Sequence, residues 1–215
     1  MKLHLGCGQT YLEDYLNIDF PASKHTVQSS FVADQYSDIT RLRYPRESIE
    51  EIRLHHVFEH FTRPVSLALL ASWWSWLKPD GLVRIEVPDF DNSALQVLNP
   101  FISIKHKSVA LRHIFGSQES SWANHCEGWS ERRLKTVLIN FGYLPKKVQR
   151  NSWQGTHNIE IFATKTKKNM TKRVFEHNAE CELTNYLLDK SSSEMRLLHF
   201  WVETYNEQIR KTWAK

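Results

Sequence analysis

Leu3-His4-Leu5-Gly6-Cys7-Gly8, followed by Leu16-Asn17-Ile18-Asp19, is the stretch whose reading decides the fold. Residues 2–5 alternate apolar and polar and read as a short strand, which the two glycines end. Residues 15–18 read as a second strand, closed by Asp19. Glycine at a strand end lets the backbone pass close under a ligand and leaves amides free to bond it. An acid closing the next strand can accept two hydrogen bonds from the vicinal hydroxyls of a ribose. A nicotinamide dinucleotide site uses the same device but wants a third glycine and an acid about 20 residues on. Tyr11 holds the third-glycine position, and Asp19 comes 13 residues after Gly6. A nucleoside without a pyrophosphate fits better.

Outward from this stretch, strands and helices alternate. Further strands are expected near residues 31–33 and at 49–55, 82–87, 145–149 and 159–164. Thr62 can cap a helix carrying Pro64 in its first turn and running to Leu77, before a turn at residues 78–81. Ser130 can cap another, with Leu134, Val137, Leu138 and Phe141 on one stripe and Gly142 at its end. This order predicts a mostly parallel sheet covered on both faces. After a basic linker at residues 165–173, two helices are expected over 174–190 and 193–213, with Ser191 and Glu194 at capping-box spacing.

Composition narrows the class. The 215 residues suit one domain with an appendage, and a net charge of +4 does not require an acidic partner. No apolar run approaches a membrane span, and the N-terminus lacks a signal peptide's pattern. Cys7, Cys126 and Cys181 form neither a disulfide framework nor a metal knuckle, so a reducing cytoplasm is expected. The linker, with Lys146, Lys147 and Arg150, is expected to be solvated rather than to bind nucleic acid.

These pieces together resemble the class I S-adenosylmethionine-dependent methyltransferases. The resemblance rests on Leu5-Gly6-Cys7-Gly8, Asn17-Ile18-Asp19, Asp38-Ile39 and His56-Val57-Phe58-Glu59-His60. Leu77-Lys78-Pro79-Asp80-Gly81 leading to Val87-Pro88-Asp89, and His157-Asn158-Ile159-Glu160, complete it. It spans residues 2–165 and implies an α/β, Rossmann-like, seven-stranded, mostly parallel sheet with its last strand antiparallel. Residues 1–165 would form the S-adenosylmethionine-binding domain and residues 166–215 a helical extension serving as lid, dimer interface or simple packing. The resemblance further implies that Gly6, Cys7 and Gly8 approach the cofactor's methionine moiety, that Asp19 holds the ribose, that Asp38 lies near the adenine, and that His55 and His56 line the cofactor. The subgroup it most resembles acts in bacterial surface-glycan (polysaccharide) synthesis, which implies a saccharide hydroxyl as acceptor. Two departures stand out. The chain begins directly at the first strand, and the link from Gly8 to Asn17 is shorter than a parallel crossover normally needs, so the first helix is expected to be a turn or two at most.

A hydroxyl acceptor needs its proton removed, and histidine suits that task. Candidates at the carboxyl ends of the strands are His125, Asp89 and His60, with His125 favoured. The connection 90–129 is long enough to build much of the acceptor site, and Trp122, Trp129 and Trp153 are candidates to stack on a sugar. Trp73, Trp74 and Trp76 read as packing residues on a helix. His56-Val57-Phe58-Glu59-His60 also matches H-x-x-E-H, a zinc-hydrolase pattern needing both histidines on one helical face. Pro64 places the helix start after His60, which argues against that rival and for Glu59 and His60 as polar groups at a cleft rim. No metal is expected. A non-catalytic cofactor-binding protein is the third alternative.

Overall fold

The computed structural model describes residues 1–24, 27, 29–166 and 169–214; Lys167 and Lys168 of the expected linker lie outside them. Seven strands form one sheet: β1 (Lys2–Leu5), β2 (Leu16–Asp19), β3 (Gln35–Tyr36), β4 (Ile49–His55), β5 (Leu77–Pro88), β6 (Tyr143–Trp153) and β7 (Thr156–Lys165). Their order is β3-β2-β1-β4-β5-β7-β6. The first five run parallel, and β7 is antiparallel to both its neighbours. The helices are α1 (Arg63–Trp76), α2 (Phe90–Leu98), α3 (Ile104–Phe115), α4 (Glu131–Asn140), α5 (Lys172–Thr184) and α6 (Ser192–Thr212).

The alternation within the strands makes the two sheet faces unlike. Register aligns Leu3 and Leu5 with Ile52 and Leu54, and these with Val83 and Ile85, then Ala163 and Ile161, on one wholly buried face. The other face carries His4, Arg53, Arg84 and Phe162 side by side. Arg84 pairs with Glu160 there and lies over the Phe162 ring. Burial of the apolar face drives collapse, because each large aliphatic side chain removed from water contributes about 1.5–3 kcal/mol. Helices lie on both sides, α3 meeting the polar side through His113, whose Nε2 is 2.9 Å from Asn158 Oδ1.

Three local expectations are corrected. The third strand is residues 35–36, not 31–33. Asp34 decides this, because its Oδ2 accepts from Asn17 N (2.8 Å) and Asn17 Nδ2 (3.0 Å) and so starts the pairing there. The 78–81 turn sits inside β5 as an excursion between Ile49↔Leu77 and Glu51↔Leu82, so β5 begins earlier than expected. Residues 6–15 contain no helix. Asn17 organises that short crossover instead: its side chain accepts from Leu12 N (3.0 Å) and donates to the carbonyls of Leu12 and Tyr15.

α1 is buried along nearly its whole length, as a helix apolar on all sides must be. The sheet covers one side and the C-terminal helices the other. Trp76 Nε1 donates to Thr212 O (2.8 Å), Ser72 and Thr212 share a hydroxyl bond (2.7 Å), and Trp74 packs edge-on to Phe175. Gln208 Nε2 donates to Thr40 O (2.7 Å), reaching the loop after β3. Ser191 caps α6, but Glu194 does not close the capping box; it turns back to accept from Leu188 N (3.0 Å). Among the described residues no helix is long and apolar enough to cross a membrane.

Candidate active site

The strand order reverses at β1, whose neighbours β2 and β4 depart to opposite sides. Such a switch point opens a crevice beyond the carboxyl ends of the strands. Gly6 (φ +68°) and Gly8 (φ +56°) turn the chain there in the left-handed region that favours glycine. The amides of Gly6 and Cys7 both donate to Ile18 O (2.8 and 3.1 Å), tying the turn to β2. Asp19 Oδ2 accepts from Gly8 N (2.9 Å) and Oδ1 from Phe20 N (2.7 Å), so this buried carboxylate holds the turn from beneath. A largely apolar cavity of about 380 Å³ lies against Gly6, Gly8, Asp19, Phe20 and Asp38. Asp38 also caps the turn Ile39–Arg41, accepting from Thr40 N (2.8 Å). Burial pushes the Cys7 thiol up to about 12, so it is no nucleophile.

A second cavity, of about 550 Å³, adjoins the first, and the two share His55, His56, His60 and Trp122 as a common wall. His56, the residue after β4, has φ 54°, a strained conformation for a non-glycine residue. Its Nδ1 lies 3.3 Å from Glu59 Oε1, and its Nε2 3.9 Å from Glu86 Oε1. Burial opposes a charge on His56, but the hydrogen bond to Glu59 and the two carboxylate charges outweigh it, and its pKa is raised. Glu59 is 1 % exposed, so it is not at the cleft rim as expected. Burial opposes its charge; the His56 bond and the nearby His60 and His125 outweigh that and lower its pKa. Its backbone carbonyl accepts from Cys126 N (2.8 Å), drawing the 124–127 loop over the site. Glu86 is held at about 2 against its burial by hydrogen bonds from His55 and Asn151.

The favoured histidine, His125, lines the larger cavity with its ring 4.7 Å from that of His60. Burial depresses its pKa to about 4. His60 Nδ1 is 3.1 Å from Asn124 O. Asp89 lies away from both cavities: it caps α2, and Asn92 engages both its oxygens. Trp122 and Trp153 line the larger cavity. Trp129 does not; it is buried, stacked on Phe58 at 5.1 Å, because Ser130 and α4 pull it under the sheet's end. Glu86, His113 and Asn158 line the larger cavity without having been singled out for it. The one available signal was strand parity: Glu86 lies opposite His55 on the polar face.

Among the described residues two groupings could hold a cation, His55–His56–Glu86 and Glu59–His60–His125, each with ligand atoms within 4.8 Å of one another. The hydrolase pattern is not formed. Residues 58–60 make a single 3-10 turn and α1 starts at Arg63, so His56 and His60 share no helical face.

No family model and no curated protein matches the chain. Solved structures do. An S-adenosylmethionine-dependent methyltransferase from Methanosarcina mazei superposes with a TM-score of 0.52 at 11% identity, over 78% of this chain and 92% of that one. One from Mesorhizobium loti gives 0.51 at 12% identity over 76% and 90%. Another from Archaeoglobus fulgidus gives 0.50 at 15% identity over 76% and 85%. The fold is the class I methyltransferase fold. At these identities it is the architecture that is shared.

Proposed function

We propose that this protein transfers the methyl group of S-adenosylmethionine to a hydroxyl of a saccharide acceptor, as in the making of a bacterial surface glycan. The observation that carries this reading is the pair of adjoining cavities with one histidine-rich wall. The smaller has the features a nucleoside with an amino-acid tail needs: a close-approach glycine turn, a buried acid on β2 and an apolar body. The solved methyltransferases sharing the fold support the same cofactor. In the proposed roles, Gly6, Cys7 and Gly8 face the methionine part, Asp19 the ribose and Asp38 the adenine, while His55 and His56 close the wall toward the acceptor.

When bound, S-adenosylmethionine supplies an electrophilic methyl group on a sulfonium. The protein's task is alignment plus removal of one proton. With Nδ1 donating to Glu59, neutral His56 presents the lone pair of Nε2 to the shared wall. This nitrogen would take the proton of the acceptor hydroxyl, while the bound cofactor would supply the methyl group. His56 suits this better than His125, whose pKa of about 4 makes it a weak base at neutral pH. His125 and His60 then shape the cavity. Trp122 and Trp153 offer aromatic faces to a sugar ring, and Asn151, Asn158 and Arg112 offer polar partners for its hydroxyls. Helices α5 and α6 serve as a buttress behind α1 and the Thr40 loop rather than as a lid.

Calorimetric titration with S-adenosylhomocysteine tests the reading. One-to-one binding strongly weakened by Asp19→Ala supports it, followed by turnover on saccharide acceptors. A folded sample that binds none up to millimolar ligand rejects it.

A further inference from the structure

The tip between α2 and α3 displays large apolar side chains that are mostly exposed. Leu98, the last residue of α2, is 76% exposed, Phe101 in the connection 94%, and Ile104, the first residue of α3, 83%. The tip is nonetheless firmly built. Asn99 Oδ1 accepts from Phe101 N (2.9 Å), Asn99 O accepts from Ile102 N (3.3 Å), and Ser103 caps α3 through His106 N. The turn of the β6–β7 hairpin abuts the first turn of α3, since a Cβ built on Gly155 would lie 3.6 Å from His106 Cδ2. Trp153, exposed at the end of that hairpin, lines the larger cavity.

Charge specifies what this tip meets. Residues 92–118 contain Lys105, Lys107 and Arg112 but no Asp or Glu, in a chain with 24 acidic residues. Lys105 and Lys107 follow Ile104 directly. Large apolar side chains at a tip, backed by basic ones, match the boundary of an anionic bilayer, where apolar groups enter the acyl layer and lysine stems reach back to the headgroups. A protein partner would be matched by a mixed-charge rim around the apolar centre.

We infer that the α2–α3 tip attaches this protein to an anionic membrane surface. Leu98, Phe101 and Ile104 enter the interface, and Lys105 and Lys107 meet lipid phosphates. Val109, Arg112 and His113, farther along α3, line the larger cavity, so the attachment face and that cavity share one helix. An acceptor carried on a lipid is then delivered beside the site. That last step rests on the proposed function; the attachment itself does not.

The test is flotation of the full chain with vesicles of phosphatidylglycerol and phosphatidylcholine, against phosphatidylcholine alone. Flotation with the anionic vesicles, weakened by salt, is expected. Leu98→Ser/Phe101→Ser/Ile104→Ser should reduce attachment at least tenfold, and Lys105→Ala and Lys107→Ala about fivefold each. All are surface changes, so S-adenosylhomocysteine binding and thermal unfolding should stay as in the unaltered protein. Absence of flotation overturns the inference, as does equal flotation of the triple variant. So does a triple variant that converts a dimer to a monomer by light scattering, which would assign the tip to a second copy of this chain. Loss of cofactor binding in the unaltered protein, with flotation intact, would count against the methyl-transfer reading alone.

Discussion

Gly6 and Gly8 both have left-handed backbones, yet the structure predicts opposite consequences for adding one methyl group to each. A Cβ on Gly6 would lie 2.3 Å from Val57 Cγ2, and Val57 is β-branched with its other carbons at 3.3 Å. It cannot swing clear. Left-handed strain of about 1–2 kcal/mol then adds to an overpacking cost of about 1–3 kcal/mol. The sum, roughly 2–5 kcal/mol, lowers Tm by about 5–15 °C for a domain of this size. A Cβ on Gly8 would meet no described atom within 4 Å. Gly8→Ala therefore costs only the strain, about 1–2 kcal/mol, or about 2–6 °C. Its methyl enters the 380 Å³ cavity that Gly8 lines. Thermal unfolding and S-adenosylhomocysteine titration of both variants separate the two effects. Gly6→Ala should lose stability first, whereas Gly8→Ala should stay folded and bind at least tenfold more weakly. Unimpaired ligand binding by Gly8→Ala would refute the placement of the cofactor over this turn.

Asp19→Ala should weaken S-adenosylhomocysteine at least ~100-fold, since two hydrogen bonds to a charged acceptor contribute about 1.5–3 kcal/mol each; a change under threefold would remove Asp19 from the ribose. His56→Ala should abolish turnover while sparing cofactor affinity. Glu59→Gln removes the carboxylate charge that helps raise the His56 pKa while keeping an oxygen that can accept from Nδ1, so the acid limb of kcat should move to lower pH; an unmoved limb would assign the base elsewhere. His125 is held neutral by burial, with its pKa at about 4 in the folded state against the ordinary 6.5 of a solvated histidine. The unfolded chain therefore binds more protons, so His125's contribution is present above pH 6.5 and lost as pH falls toward 4. At about 1.4 kcal/mol per pH unit this is roughly 3 kcal/mol. Urea unfolding of His125→Gln should show a shallower acid loss than the parent, and parallel curves would contradict the burial argument. Truncation after Lys165 should yield an aggregating, poorly folded chain, because it strips the cover from Trp74 and Trp76; a monomeric, cooperatively folding fragment would show the extension to be dispensable.

What the sequence alone determined is what neighbours along the chain decide. Alternation in residues 2–5, 49–55 and 82–87 marked the strands and which side of each is apolar. Gly6, Gly8 and Asp19 marked the turn and the acid at the switch point. Pro64 marked where α1 could begin and so separated His56 from His60. Each is a local steric or burial preference, readable within a few residues. The tertiary structure decided which polar groups meet. His125 comes to Glu59 and His60 because the Glu59 carbonyl binds the amide of Cys126, a contact between segments far apart in sequence. Glu59 is buried rather than at a rim, and Trp129 lies under Phe58 rather than in the cleft, because α4 and the 124–127 loop close over them. The strand 35–36 displaced the more apolar 31–33 because Asp34 bonds to Asn17 across the sheet edge. Local pattern sets what each segment can be; the free energy of packing segments together sets which of their polar groups are desolvated and paired, and so where the candidate chemistry lies.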